Sequence, residues 1–363
     1  FGSSGRCGSR CCLAGPSWCT GGRRNMAAAL PSWIGRGLRT VAANGARGAR
    51  GVHSLASLVH GHAARSPSSL ALLAPQQEVS WTYQEMSERA ITVAGTLADV
   101  GYEKGDVLVT DLPNSVENLL LQVACSHLGV AVATAKDAKA LAELSGAARV
   151  RGAVTHVFEG ASEVLQSAVL PVPTISLEIL DGSLGLLSNS AAPQAVVPED
   201  AAAPLGYWGS TKPLTCGEAL STMAADAREQ LAVTSDDRVL VSITLCHAFG
   251  IASAVGSAFL AGASVVLPGA SGIRGCGSPT QRAAVTLEVL ASARCSVLFS
   301  DVHTLKALPP PAGADLSALR TGACKVGSGA SFLHDVREAK LGPNGEMRPL
   351  EYAGVPMLAV GKK

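Results

Sequence analysis

The first clear pattern of apolar and polar positions along the chain predicts a helix that starts just after Thr82. The side chain of Thr82 is suited to an N-cap, and Glu85 follows three residues later, which is the spacing of a capping box. Gly101 is suited to the left-handed position that ends a helix. Between these limits, apolar residues recur at helical spacing, at Ala90, Val93, Leu97 and Val100.

Short β-branched runs alternate with helical runs in the next part of the chain. Residues 107–111 predict a strand, and Ser115 is a candidate N-cap for a helix over residues 116–128. Gly129 ends that helix, and residues 130–133 predict a second strand. This alternation predicts an α/β fold with mostly parallel sheets flanked by helices.

The same alternation continues less regularly to about residue 325, without an internal repeat. Residues 182–204 are rich in Ser, Ala, Pro and Gly, which predicts a loop. Further strands are predicted at residues 154–157, 172–175, 239–245 and 296–299, and from Leu319 onward. Further helices are predicted at residues 215–231, 281–293 and 303–308, with a helix–strand unit over residues 249–267.

Residues 248–268 contain no charged side chain and are long enough to cross a bilayer. The small residues 261–263 divide this stretch, and the β-branched run after them ends at Pro268. Few aromatic residues flank it, although aromatic anchors are typical of membrane spans. We therefore predict a buried helix, a turn and a buried strand, and no transmembrane span.

The composition indicates a folded protein of one large domain or two domains. The chain has 363 residues, of which 47% are hydrophobic and 16% charged, so a sizeable core is expected and little disorder. The net charge of +1 gives no general electrostatic reason to expect a nucleic-acid partner.

The charges are unevenly distributed, because residues 1–77 contain nine arginines but no lysine, aspartate or glutamate. An arginine-rich, serine-containing and acid-free stretch is typical of an organellar transit peptide. We therefore assign residues 1–52 to a transit peptide and expect a mitochondrial location; the alternative is a disordered basic arm that binds an anionic partner. Met26 precedes three alanines, so residues 1–25 are either protein or untranslated upstream sequence.

The cysteines indicate neither a disulfide framework nor a metal site. Four of the ten cysteines lie in residues 1–25, without paired C-x2-C spacing or a nearby histidine. The other six are scattered singly between Cys125 and Cys324, which is typical of buried free thiols in a reducing compartment. We expect no metal ligands among them.

Four stretches of the chain, in order and at regular spacing, are similar to the motifs of one family. They are residues 81–85 with 101–106, residues 112–117 with 125–129, residues 243–250 with 262–268, and residues 297–308 with 315–322. Together they resemble the adenylate-forming acyl-CoA synthetases, also called AMP-dependent synthetases and ligases. The resemblance covers about residues 55–335.

The resemblance implies an acyl-CoA synthetase-like N-terminal large domain and a known chemistry. Members of that family use ATP and Mg²⁺ to convert a carboxylic acid into an acyl-adenylate, and a thiol such as coenzyme A then takes the acyl group. We assign residues 53–340 to a fragment of this AMP-binding-like domain and residues 341–363 to a C-terminal tail. No counterpart of the family's magnesium glutamate, ribose aspartate or lid lysine follows Gly322, so we expect the C-terminal lid domain to be absent.

The phosphate loop of the family is matched by residues 206–217, but only in part. Gly209, Ser210 and Thr211 resemble its first glycine and two hydroxyls, whereas Lys212 stands where its central glycine would be. A side chain there hinders positive φ angles, and the next residue, Pro213, has no amide proton. The expected result is a degenerate phosphate loop; the alternative is that Lys212 reaches a phosphate from a new position.

Two further places gain candidate roles from the resemblance alone. His247 and Gly250 lie in the counterpart of the family's core motif, so they are candidates for the acyl pocket, or else His247 is an ordinary core histidine. Gly327 and Gly329 lie where the family contacts adenine, or else they form a plain turn.

Three hypotheses for function follow from these observations. The first is a catalytically silent acyl-CoA synthetase-like protein that acts as a structural or accessory subunit of a mitochondrial assembly, needing no cofactor and binding other protein subunits. The second is an active ATP-dependent acyl-CoA ligase, completed by another chain and using ATP, Mg²⁺ and coenzyme A. The third is a sensor that binds an acyl or nucleotide ligand without turnover. Peripheral membrane association stays open, and no nucleic-acid partner is expected.

The acid-free arm generates the first testable prediction. We expect residues 1 to about 50 to be removed on mitochondrial import, with cleavage close to Arg47 and Arg50, because this segment has the composition of a presequence. N-terminal sequencing of the protein recovered from mitochondria measures the cut. A mature chain that begins at Met26 or earlier and stays in the cytosol would contradict the prediction.

Overall fold

The computed structural model describes residues 54–110, 112–134, 138–156, 174–177, 201–208, 211–269, 278–311 and 313–362. The predicted transit peptide at residues 1–52, the amino-terminal cysteines and most of the predicted loop at residues 182–204 lie outside the described residues.

Helices and strands alternate along the described chain, as the apolar pattern predicts. The helices are α1 (Leu55–Arg65), α2 (Tyr83–Asp99), α3 (Val116–Leu128), α4 (Ala138–Ala147), α5 (π-helical Gly217–Ala224 followed by Ala225–Gln230), α6 (π-helical Phe249–Val255 followed by Gly256–Ala261), α7 (Pro279–Ser292) and α8 (Val302–Ala307). The strands are β1 (Leu70–Ala74), β2 (Val79–Thr82), β3 (Val107–Thr110), β4 (Ala131–Thr134), β5 (Val150–His156), β6 (Thr174–Leu177), β7 (Pro204–Trp208), β8 (Leu214–Thr215), β9 (Arg238–Val241), β10 (Ser264–Val266), β11 (Val297–Asp301), β12 (Thr321–Lys325), β13 (Ser331–Leu333), β14 (Glu338–Lys340), β15 (Met347–Pro349), β16 (Glu351–Tyr352) and β17 (Val355–Gly361).

The predicted helix caps are present. Thr82 and Glu85 form a reciprocal capping box at the start of α2, with Thr82 N donating to Glu85 Oε2 at 2.8 Å. The Ser115 hydroxyl accepts from Asn118 N at the start of α3, and Gly129 ends that helix in the left-handed region at φ 73°. These local contacts fix where the connecting segments leave each helix.

Two sheets organise the fold. The six-stranded sheet has the order β6-β5-β3-β4-β7-β8, and the nine-stranded sheet has the order β13-β17-β12-β11-β9-β10-β1-β2, with β16 paired to β17. In both sheets the interior pairs are parallel, and antiparallel pairs occur at the edges. The predicted α/β class with mostly parallel sheets is therefore confirmed.

The largest core cluster joins the two sheets through the helices between them. It combines apolar side chains of α1, α2, α3, α5 and α6 with one face of the nine-stranded sheet, and Tyr83, Phe249, Phe259 and Phe299 are among its fully buried members. Its aromatic rings meet edge-on or tilted, as Phe249 and Phe299 do with centroids 5.5 Å apart. A second cluster lies on the opposite face of the nine-stranded sheet, under α7 and α8.

The uncharged stretch at residues 248–268 forms a helix, a turn and a strand, as predicted. It contains α6, the left-handed turn at Gly262 and β10, which pairs with β9 and β1 inside the sheet. Among the described residues, no helix combines the length and the apolar character that a bilayer crossing requires.

The carboxyl-terminal residues differ from their assignment as a tail at residues 341–363. Val355–Gly361 forms β17, which lies between β12 and β13 and is paired with both. Met357 and Ala359 are buried on one face of the sheet and Val360 on the other, because the strand is covered on both sides. Residues 355–361 therefore belong to the nine-stranded sheet.

Two histidines form a buried polar contact where α1, α2 and α3 meet. His60 Nδ1 lies 2.7 Å from Ser87 Oγ, and His60 Nε2 lies 2.9 Å from His127 Nδ1. Burial, with the neighbouring His127, lowers the pKa of His60 to about 3. Burial also lowers the pKa of His127 to about 4, so both rings are neutral in the folded protein at pH 7.

These histidines should make the folded state sensitive to mild acid. Their folded pKa values lie below the unfolded value near 6.5, so the unfolded chain binds more protons and stability falls as the pH drops from about 6.5 towards 4. Each histidine should contribute a slope of up to about 1.4 kcal/mol per pH unit to the free energy of unfolding. Urea unfolding between pH 7.5 and 5 measures this slope.

The matched variants are His60→Gln, which retains hydrogen-bonding groups, and His303→Gln at an exposed histidine. We expect His60→Gln to flatten the pH dependence and His303→Gln to leave it unchanged. An unchanged slope in His60→Gln would show that this cluster does not set the acid sensitivity.

Candidate functional site

The candidate site lies at the carboxyl ends of three neighbouring parallel strands, β9, β11 and β12. Residues at such ends share one edge of the sheet, which is where open α/β sheets bind ligands. Asp301 ends β11, and Lys325 lies directly beside it at the end of β12. His247 follows the end of β9 by six residues.

The segment after β9 is fixed by side-chain amides of the α3 region. Asn114 Nδ2 donates to Ile243 O at 2.6 Å, and Asn114 Oδ1 accepts from Leu245 N at 2.9 Å. Gln122 Nε2 donates to Leu245 O at 3.3 Å. Strand β9 ends at Val241, so the backbone groups that follow have no strand partners. The buried side chains of Asn114 and Gln122 supply the hydrogen bonds that these groups need.

His247 is oriented by the start of helix α6. Its Nδ1 accepts from Phe249 N at 3.1 Å, and its carbonyl oxygen accepts from Gly250 N and Ile251 N at 2.9 and 3.0 Å. Burial, with the nearby Lys325, lowers the pKa of His247 to about 4. His247 is therefore a neutral imidazole with one nitrogen bound to the backbone, at the site edge and only half-buried.

Gly250 is required by the backbone at this bend. A Cβ atom at residue 250 would collide with the carbonyl oxygen of Thr244. The glycine therefore allows the chain to fold back on itself between β9 and α6, which brings His247 to the edge of the sheet. Its contribution in the structure is space for the backbone, and an acyl-pocket role for Gly250 or His247 stays a prediction.

Lys325 is a residue of the candidate site that the sequence patterns did not identify. Its Nζ lies 3.1 Å from His247 Nε2 and 3.3 Å from His247 Nδ1, and it donates to Gly329 O at 3.2 Å. Burial lowers the pKa of Lys325, and the negative charge of Asp301 partly opposes that shift. The only available sequence signal was a single charged residue that closes the strand Thr321–Lys325.

Asp301 is engaged in a structural network beside Lys325. It pairs with Arg282 Nη2 at 3.0 Å and caps α8 by accepting from Thr304 N at 2.7 Å. Thr304 Oγ1 also donates to Asp301 Oδ1 at 2.9 Å. The carboxylate therefore holds α7 and α8 to the end of β11.

The two glycine candidates for adenine contact lie in the turn after Lys325. Gly329 has φ 83°, and a Cβ there would lie 2.9 Å from the carbonyl oxygen of Gly361 in β17. Gly327 faces open space. Gly329 thus joins His247, Gly250 and Lys325 in one site, whereas an adenine contact by either glycine stays a prediction.

The predicted phosphate loop is the tip of an antiparallel hairpin between β7 and β8. Gly209 and Ser210 lie outside the described residues, and Thr211 and Lys212 are exposed. The loop therefore joins the edge strand β8 to β7 in the six-stranded sheet. His247 and Lys325 lie instead at the carboxyl ends of interior strands of the nine-stranded sheet.

The described residues include no candidate metal site. Across the described residues, no group of three or more His, Cys, Asp or Glu side chains is arranged to hold a metal ion. The described cysteines are free thiols, and burial raises the pKa of Cys295 and Cys324 to about 12.

Comparisons with known proteins agree with this architecture. A family model described as AMP-binding enzyme matches residues 59–206. A curated 4-chlorobenzoate–CoA ligase from Arthrobacter sp. is 29% identical over 150 residues, which are 40% of this chain and 29% of the relative. The chain therefore matches less than a third of that relative's length.

Solved structures resemble the fold over most of the chain. The N-terminal domain of FACL13 from Mycobacterium tuberculosis has a TM-score of 0.61 at 18% identity, covering 75% of this chain and 69% of that one. A benzoate CoA ligase from Burkholderia xenovorans has a TM-score of 0.61 at 16% identity, covering 84% and 60%. At such identities the likeness concerns the fold, and the predicted likeness to acyl-CoA synthetase large domains is confirmed.

The bend at Gly250 gives a prediction for stability. Gly250→Ala should reduce the free energy of unfolding by about 1–3 kcal/mol, because its methyl group has no room beside Thr244 O. Chemical unfolding measures the loss. Gly327→Ala, at a site with open space, is the matched control and should change stability by less than about 0.5 kcal/mol. Equal stability of the two variants would contradict this description of the bend.

Proposed function

We propose that the chain is a member of the AMP-dependent synthetase and ligase family, because residues 59–206 match its family model, and that it is a catalytically silent acyl-CoA synthetase-like protein. We further propose that it serves as a structural or accessory subunit of a mitochondrial protein assembly. The observation that supports silence most directly is the residue set of the hairpin between β7 and β8.

That hairpin does not fit the phosphates of ATP. A phosphate loop needs several backbone amides that converge on the anion, and glycines that allow them to do so. Lys212 stands at the central glycine position, and Pro213 offers no amide proton. Thr215, at the position of the family's lysine, uses its hydroxyl to accept from Glu218 N at 3.2 Å. Its hydroxyl therefore caps helix α5.

The mitochondrial part of the proposal rests on the composition of the amino-terminal residues. Residues 1–77 combine nine arginines with a complete lack of acidic side chains. Such a segment can form a basic amphipathic presequence, which import machinery recognises.

The accessory role is supported by strand edges and by exposed apolar side chains. The β14–β15 hairpin is a separate two-stranded sheet, and Met347 on it is 55% exposed. Strand edges with unpaired backbone groups offer hydrogen bonds to other subunits. A stable complex would cover them.

An active ligase completed by another chain is the second candidate. It is favoured by the neutral imidazole of His247 at the carboxyl ends of the strands, where the resemblance implies an acyl pocket. The two proposals differ in one measurable step, the formation of an acyl-adenylate.

Silence predicts no exchange of labelled pyrophosphate into ATP with short, medium or long fatty acids. Each electrostatic element of such a site contributes about two to three orders of magnitude in rate, and several are replaced in this loop. Calorimetry should show no ATP binding tighter than about 1 mM, or roughly 4 kcal/mol.

The control pair is Lys212→Ala in the hairpin and Lys340→Ala at an exposed site on β14. Exchange above background that disappears in Lys212→Ala and persists in Lys340→Ala would overturn the silent-enzyme proposal. A native mass equal to that of one chain, in protein taken from mitochondria, would separately overturn the subunit role.

A further inference from the structure

Near their carboxyl ends, strands β5, β3, β4 and β7 carry four side chains in register, which we call the strand-end row: Val154, Thr110, Thr134 and Trp208. Thr110 pairs with Val154, and Thr134 pairs with Trp208. The parallel register of β3 and β4 sets Thr110 beside Thr134. The strand-end row therefore crosses four neighbouring strands of the six-stranded sheet, whereas His247 lies at the nine-stranded sheet.

The side chains of the strand-end row share one face of the sheet. Residues in register on parallel strands point to the same face, and successive residues alternate between faces. Leu108 and Val132, two residues before Thr110 and Thr134, belong to the largest core cluster, and Trp208 packs against that cluster. The row therefore lies on the inner face of the sheet, at the carboxyl ends where open α/β sheets bind ligands.

Two polar atoms in the row are buried without a partner. Thr110 is only 1% exposed, and its Oγ1 has no hydrogen-bond partner among the described residues. The same holds for Trp208 Nε1. Buried hydroxyl and indole N–H groups nearly always have a partner in folded proteins. Two such atoms in one row indicate a site for a molecule that supplies hydrogen-bond acceptors.

Gly206 determines how the indole ring lies. A Cβ atom at residue 206 would collide with the six-membered part of the Trp208 ring and with the carbonyl oxygen of Val132. The ring therefore lies back along β7 over the glycine, and only a residue without a side chain leaves room for it. Packing thus sets the direction of the indole N–H before any ligand binds.

The donors of the row select an uncharged acceptor. An indole N–H can only donate, and a threonine hydroxyl can donate or accept. The four side chains of the row carry no charge, and burial of an anion without a cation is costly. A carbonyl oxygen accepts hydrogen bonds without adding a charge. The row therefore fits an amide-type carbonyl better than a carboxylate or a phosphate.

The spacing of the two donors favours two acceptors. Thr110 and Trp208 lie on strands that are separated by β4, so their backbones are about 10 Å apart, or two strand spacings. Thr134 lies between them and is half-buried, as is Trp208 as a whole. A short extended molecule with a carbonyl group towards each end can accept from both donors.

We propose that the strand-end row binds a small uncharged molecule with two amide-type carbonyl groups. One carbonyl oxygen accepts from Trp208 Nε1–H and the other from Thr110 Oγ1–H. The molecule enters on the side of Thr134 and Trp208, where the row is partly exposed. This binding requires neither ATP nor Lys212, so it stands or falls independently of the silent-enzyme proposal.

The first experiment follows the NMR signals of the indole N–H groups in the full chain. The chain has four tryptophans, and Trp208→Phe, which keeps an aromatic ring over Gly206, assigns the Trp208 signal. The probes are N-acetylglycine N-methylamide with two carbonyl groups, N-methylacetamide with one, and sodium acetate as the charged probe. For the two-carbonyl probe we expect a saturable shift of the Trp208 signal with a Kd of about 1–10 mM, as suits so small a ligand.

The three probes decide both the site and the class of its ligand. N-methylacetamide should shift the same signal with a weaker Kd, and acetate should give no saturable shift. Trp81, which lies in β2 of the other sheet, should keep its indole signal unchanged. The absence of a saturable shift with both amides, or tighter binding of acetate than of either amide, would overturn the proposal.

Thr110→Val tests the second donor, because it removes the hydroxyl and keeps the shape of the side chain. The two-carbonyl probe should bind the unaltered chain about two- to tenfold tighter than N-methylacetamide, which is the range of one net hydrogen bond. Thr110→Val should abolish this difference and retain the shift at Trp208. The matched control Thr321→Val, at a half-buried threonine in β12, should preserve the difference. A difference that persists in Thr110→Val would overturn the two-donor site.

The same variant tests whether the hydroxyl lacks a partner in the free protein. Thr110→Val removes no hydrogen bond of the described chain, so the midpoint of urea unfolding without a probe should not decrease. A clear decrease of the midpoint would show that Thr110 Oγ1 is bonded within the folded chain, and would overturn its role as a ligand donor.

Discussion

The hydrogen bonds of Asn114 to the chain after β9 are the constraint on which the site depends. They connect the amino-terminal approach to α3 with residues 243–245, which leave the nine-stranded sheet. A buried segment outside a strand ladder has unpaired backbone groups, and a buried group without a partner costs about 1–3 kcal/mol. One amide side chain satisfies both a carbonyl oxygen and an N–H of this segment, so the two sheets are held in one arrangement.

The position of the site follows from that connection. The fixed segment turns back at Gly250, where only a glycine leaves room for Thr244 O, and this turn places His247 at the edge of the sheet. The parallel register of β11 and β12 sets Lys325 beside Asp301. Asp301 is bound to Arg282 and does not pair with Lys325. The amine of Lys325 therefore contacts His247 and Gly329 O.

Local sequence signals predicted the helices and strands. The residues that meet in the candidate site are instead set by contacts between segments far apart in the chain. The capping box of Thr82 and Glu85 and the left-handed Gly129 depend on neighbours within a few residues, so the sequence pattern contains them. Strand β17 follows two turns, and its place becomes evident only when it pairs with β12. The contact of Lys325 with His247 joins residues 78 positions apart, which no periodicity records. The glycines after Lys325 were identified through a resemblance, but the lysine has no counterpart in the motif that drew attention to them.

The hairpin between β7 and β8 and the region around His247 differ in how strongly packing fixes them. Thr211 and Lys212 in that hairpin are exposed, so substitutions of these two residues should have little effect on packing. The region around His247 is tied to buried amides and to the core aromatic Phe249, so its geometry is fixed by folding itself. The imidazole of His247 and the amine of Lys325 are therefore brought together at the carboxyl ends of the strands by contacts of the nine-stranded sheet and helix α6.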